Sequence, residues 1–155
     1  MDQLMHIPTK KITEYPLFVR AFFWKQKLTY GDVLKPGMLW ARSPLVFAAL
    51  ALLYGALNRK SSPLDAALRS LVTVRISQVN HCAFCIDINS ATLIKRGVSF
   101  EKIEALRDWR STNLFSERER LALEYAEIVT HSDRQTDADL MLRLKQHFDH
   151  DAIVE

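Results

Sequence analysis

No proline follows Pro63, and the whole chain of 155 residues holds only four glycines and five prolines. The last 92 residues therefore lack the strongest helix breaker altogether. So few turn residues leave room for long elements and few loops, which favours helices over a sheet of many short strands. A chain of this length makes one domain by the usual prior, here residues 1–155, and can bury about two-thirds of its unfolded surface.

The apolar pattern agrees with helices. Leu17–Leu28 is amphipathic and rich in aromatics, including Phe22, Phe23 and Trp24. A looser segment follows, with a turn at Pro36-Gly37. Pro44–Leu57 is apolar on all sides and predicts a buried core helix. Its run Leu45–Leu57 has 13 residues, too short to span a bilayer. Ser62 with Pro63 predicts the cap and first position of the next helix. Ser116 and Glu119 form a capping box before a stripe of Leu121, Tyr125 and Ile128. Thr136 and Asp139 predict a similar start ahead of Leu140, Leu144 and Phe148. Near the end, Asp149 or Asp151 caps a short run, Ala152, Ile153 and Val154, that stops at Glu155. A helix so short does not hold itself together without packing, and it reads as cut short.

One segment points the other way. In "LVTVRISQV", residues 71–79, Val72, Val74 and Ile76 alternate with Thr73, Arg75 and Ser77, which is the period of a strand. A strand running into C-x-x-C at a helix start would suggest a thioredoxin-like motif. No second convincing strand exists to pair with it, and no proline lies downstream to face the cysteines. A helical stripe of Leu64, Leu68, Leu71, Val72, Ile76 and Val79 accounts for the same residues.

The two cysteines, Cys82 and Cys85, stand three apart in "HCAFCIDINSATLIKRG". With a helix from about His81 to Arg96 and Gly97 as its left-handed stop, both fall in the first turn on one face. There the unpaired N–H groups and the helix dipole favour a thiolate. Buried inert thiols are the plain alternative, because free cysteine packs as a small hydrophobe. Zinc needs four ligands, and His147 and His150 are too close together and too far along the chain to complete the usual pattern, so no metal or other cofactor is expected. His81 either tunes Cys82 or caps the helix and faces solvent. Asn89, four residues after Cys85, shares its face but carries no proton at neutral pH. Asp87 reads as an exposed carboxylate.

Net charge is +3, too small to argue for nucleic acid. Residues 1–61 carry nine Lys/Arg against three Asp/Glu, and the remainder carries twelve against fifteen. That asymmetry suits association with copies of the chain or an anionic surface, or is a solvated basic face. The first residues show no secretion signal, which predicts a reducing cytoplasm. In that compartment, paired cysteines point to redox or metal chemistry rather than a structural disulfide.

The run "VRISQVNHCAFCIDINSATLIKRGVSFEKI", with the later "FSERERLALEYAE", resembles the carboxymuconolactone decarboxylase-like superfamily in its alkyl hydroperoxide reductase D-like branch. The resemblance is clearest over about 63–130, with a family-like core of about 45–130. It implies an all-α, compact multi-helix bundle that assembles as a homotrimer or homohexamer. It implies thiol–disulfide chemistry at Cys82 and Cys85, with a thiol-redox partner protein or a small-molecule peroxide as the other reactant. In that branch a glutamate and a histidine relay protons to the C-terminal cysteine. The glutamate's position falls at Ser70 and the histidine's at Asn89, so both relay groups are replaced by neutral polar side chains. Members of the branch also continue with an apolar helix where this chain ends.

Three functions follow from this reading. The first is a thiol–disulfide oxidoreductase or weak peroxidase in antioxidant defence, with Ser70, His81 and Asn89 as polar neighbours of the cysteines. The second is an oligomeric scaffold or redox-sensing module without turnover. The third, a lactone decarboxylase, rests on the superfamily name alone.

Overall fold

The computed structural model describes residues 7–155; the six before them, part of the stretch read as free of a secretion signal, lie outside the described residues. Every regular element among the described residues is helical. Contacts cluster into two compact units, residues 1–59 and 60–155.

The first unit holds α1 (Leu17–Tyr30), α2 (Lys35–Trp40) and α3 (Pro44–Leu57). Gly31, at φ +82°, ends α1 in the left-handed conformation that a residue without Cβ adopts freely. The unit's core is small and aromatic: Tyr15, Val19, Phe23, Ala41 and Phe47. Phe23 meets Tyr15 and Phe47 edge to face, with centroids 5.3 and 5.8 Å apart. The Tyr15 hydroxyl donates to the Met38 carbonyl at 2.8 Å. Pro36 and Gly37 are not a turn but lie within α2. Proline fits there because the first helical turn has no use for its missing N–H. Nor is α3 buried all round. Phe47 is its one buried residue, whereas Leu45, Leu52, Leu53 and Tyr54 are exposed.

The second unit holds α4 (Ala66–Val79), α5 (Ala83–Lys95), α6 (Phe100–Ala105), a 3₁₀ segment (Leu106–Ser111), α7 (Glu117–Thr130), α8 (Ala138–His147) and α9 (His150–Val154). The strand-like period of residues 71–79 folds as helix, with Leu68, Leu71, Val74 and Ser77 buried at a three-residue spacing. Val72, Ile76 and Val79 are only half-buried, so the inward stripe is rotated from the one the sequence suggested. Asp65, rather than Ser62, caps α4, accepting the Leu68 N–H at 2.8 Å. A carboxylate satisfies an N-terminal N–H and also opposes the helix dipole, which favours Asp65. The predicted box of Ser116 and Glu119 opens α7. α8 is capped by Asp137, between the two residues the sequence suggested, and α9 by Asp149.

α4 packs against α5 and α7 around Leu71, Val74, Leu93, Leu121 and Leu123. Each such side chain, removed from water, contributes about 1.5–3 kcal/mol. A buried carboxylate ties the layers together. Glu127 of α7 accepts from Arg75 Nε of α4 at 2.5 Å, from Trp109 Nε1 at 2.9 Å and from Arg110 Nη1 at 2.7 Å. Burial alone would raise its pKa, but the bonds from Trp109, Arg110 and Arg75 outweigh that and hold it below the usual carboxylate value.

Candidate active site

The turn between α4 and α5 is built to present Cys82. Asn80 ends α4, and His81 adopts φ +52°, the left-handed region that non-glycine residues seldom enter. The His81 N–H then bonds the Gln78 carbonyl at 3.1 Å, and the Cys82 N–H bonds the Ser77 carbonyl at 3.0 Å. This pair of bonds is a Schellman closure, a position glycine usually fills. The same closure recurs at the end of α5, where Gly97 has φ +86° and the Val98 N–H bonds the Leu93 carbonyl at 3.3 Å. His81 is exposed, and the structure gives it a backbone task.

Cys82 is the N-cap of α5, so it stands one step before the first turn in which the sequence placed it. Its Sγ accepts the Cys85 N–H at 3.3 Å. The two cysteines are joined as a disulfide, with Cα atoms 5.2 Å apart, and both are half-buried. Asn89 lies one helical turn below Cys85 and donates from Nδ2 to Ser77 Oγ at 3.3 Å. Ser77 in turn donates to the Thr73 carbonyl at 2.7 Å. Ser77 is buried and thus links α4, the cysteine turn and α5. The sequence reading passed over it, although it belongs to the quoted run R-I-S-Q and stands two helical turns beyond Ser70.

Ser70 belongs to a different network. Its buried hydroxyl takes a bond from Arg96 Nη1 at 2.6 Å, and the same nitrogen reaches the Ala66 carbonyl at 2.5 Å. Burial, with the neighbouring charge of Arg69, pulls the Arg96 pKa below its ordinary value, yet a guanidinium stays cationic. The structure therefore gathers Cys82, Cys85 and Asn89 around Ser77, with His81 in the adjoining turn, and gives Ser70 to Arg96. No local spacing reveals the Arg96–Ser70 bond, which spans 26 residues.

Chemically, this arrangement offers a dithiol–disulfide pair, one helix N-terminus and neutral polar support. Among the described residues there is no group of three or more His, Cys, Asp and Glu that could hold a metal ion. Among them, too, no helix is long and apolar enough to cross a membrane.

Comparison with known proteins gives a consistent picture. The profile of the carboxymuconolactone decarboxylase family matches residues 44–127. The uncharacterized protein YnjA of Escherichia coli is 43% identical over 144 residues, which are 93% of this chain and 79% of that protein. A solved structure from Agrobacterium tumefaciens, a candidate AhpD antioxidant-defence protein of unknown function, is 29% identical with a TM-score of 0.69, covering 75% of this chain and 79% of its own. An uncharacterized peroxidase-related protein from Silicibacter shares the fold at 20% identity, with a TM-score of 0.83 over 97% of this chain and 78% of its own.

Proposed function

This chain belongs to the carboxymuconolactone decarboxylase family, in its alkyl hydroperoxide reductase D-like branch, and we propose that it works there as a thiol–disulfide oxidoreductase with weak peroxidase activity. The observation that carries this reading is the Cys82–Cys85 disulfide at the N-terminus of α5, one Cys85 N–H already aimed at Cys82 Sγ. A helix N-terminus favours thiolate, and thiolate is the reactive form.

The cycle needs only the pair and two external reactants. The reduced dithiol gives two electrons to a peroxide, or to a partner's disulfide, and becomes the disulfide. An external dithiol returns the two electrons. Ser77 and Asn89 orient the site but supply no base near neutral pH, so the expected rate falls short of that given by an ionisable relay. A reducing cytoplasm suits such a cycle. Assembly as a homotrimer or homohexamer is part of the same reading, supported by the exposed apolar residues Leu45, Leu52, Leu53 and Tyr54 of α3.

The test is reductant-dependent turnover of hydrogen peroxide, an alkyl hydroperoxide and a small disulfide. We expect Cys82→Ser and Cys85→Ser each to lower it at least a hundredfold. Turnover unchanged in Cys85→Ser sinks the proposal. The alternative, a scaffold or redox-sensing module, draws on the capture of Ser70 by Arg96 and the neutral Asn89. It predicts no turnover with any of these substrates and a change of oligomeric state on oxidation.

A further inference from the structure

We propose that α1 is a membrane-surface helix: an outward stripe of Leu17, Ala21, Trp24 and Leu28, edged by Arg20, Lys25 and Lys27, seats the chain on an anionic lipid bilayer.

Spacing along α1 defines the stripe. Residues 17, 21, 24 and 28 recur at steps of four, three and four, so they share one face of the helix. That face is turned away from the core of its unit. Leu17, Trp24 and Leu28 are 77%, 68% and 68% exposed, and Ala21 is exposed with them. The opposite face is already employed. Val19 and Phe23 are buried in the aromatic core, and the Gln26 side chain accepts the Leu34 N–H at 2.9 Å. The helix thus has two apolar faces, and its own unit uses one. A continuous apolar ridge left in water marks a contact site.

Charge decides what covers it. Arg20 and Lys27 border the stripe on one side and Lys25 borders it on the other, all three exposed. α1 contains no Asp or Glu. Two copies meeting stripe to stripe would set these cations against their own equivalents, with no carboxylate on either helix to receive them. α3 is the opposite case. It carries no charged residue, and its exposed leucines can meet a copy without that repulsion. A bilayer surface fits α1 on each count. Leucine enters the boundary of the acyl chains, and tryptophan favours the interface. Lysine and arginine keep their charged heads among anionic headgroups while their stems follow the apolar side. At 14 residues the helix lies in the plane of the membrane rather than across it.

The experiment is co-sedimentation of the full chain with two kinds of vesicle. One is phosphatidylcholine alone; the other is equal parts phosphatidylcholine and phosphatidylglycerol. We expect capture by the anionic vesicles at low salt, with partitioning about tenfold weaker in high salt and on phosphatidylcholine alone. The triple variant Arg20→Gln, Lys25→Gln, Lys27→Gln should lower partitioning about a hundredfold. The double variant Trp24→Ser, Leu28→Ser should lower it roughly thirtyfold. Both variants change only exposed side chains, so thermal melts should match the wild type. Capture by neither vesicle, equal capture by both, or capture that the glutamine variant keeps would overturn the proposal. So would a change of oligomeric state in the Trp24→Ser, Leu28→Ser variant on sizing chromatography, which would assign the stripe to a second copy.

Discussion

Arg75 and Ser77 stand two residues apart on α4 and head two opposite kinds of polar cluster. Arg75 enters a charged one, in which the Glu127 carboxylate is bonded by Arg75, Trp109 and Arg110. Ser77 enters a neutral one of Asn89, Thr73 and the cysteine turn. The charged cluster joins α4, α7 and the 3₁₀ segment. The neutral cluster ties Asn89 of α5 to Ser77 of α4, whose carbonyl also takes the Cys82 N–H. The contrast shows where this chain spends its buried charge: on holding helices together, with neutral Ser77 and Asn89 at the cysteine turn.

The largest way to test that contrast is to break the charged side. Glu127→Ala leaves Arg75 without its carboxylate, and breaking such a buried pair costs about 3–5 kcal/mol. Urea unfolding should show that loss. The same group gives a pH signature. Its folded pKa lies below its ordinary value near 4.5, so its contribution is full above that value and is lost as pH falls through the lower, folded one. Acid unfolding of the wild type should therefore steepen below about pH 4.5, and that portion should vanish in Glu127→Gln. An acid profile identical in the two proteins would show that Glu127 holds nothing.

On the neutral side the expected effects are smaller. Ser77→Ala removes the acceptor of Asn89 and costs about 1–2 kcal/mol. It also takes from Asn89 its partner on α4, so the alkylation rates of Cys82 and Cys85 should change. A stability loss with those rates unchanged would make Ser77 structural alone.

The smallest effect is expected at His81. At φ +52°, glycine is the easier residue, and His81→Gly should raise stability by up to about 1 kcal/mol in thermal melts. Turnover should change less than threefold. A tenfold loss of turnover would show that the imidazole itself takes part.

The sequence exposed some of this and hid the rest for physical reasons. The scarcity of proline and glycine made a helical chain legible. The capping box at Ser116 and Glu119, and the inward Leu140, Leu144 and Phe148, were readable because they are local patterns. The stop at Gly97 was readable for the same reason. The start of α4 was misplaced because Ser62 and Pro63 make a good local signal, while Asp65 makes a better one. The α3 prediction failed differently. An all-apolar helix says that something covers it, but within its own unit only Phe47 is buried. At the site, the cysteine spacing was plain. The partner of Ser70 was not, because it comes from across the helix pair. His81 faces solvent, as one of its two readings had it, but the fold also uses its backbone. That use is invisible in sequence because histidine is not the residue one expects at a left-handed position.

The most direct measurement is the equilibrium of the Cys82–Cys85 disulfide in thiol–disulfide buffers of graded potential, read by the mass shift of alkylated protein. A working pair should titrate reversibly as a two-electron couple at a midpoint of roughly −180 to −320 mV, where cellular thiol pools can drive it both ways. A disulfide that stays closed across that range, or one that never forms, would contradict the account.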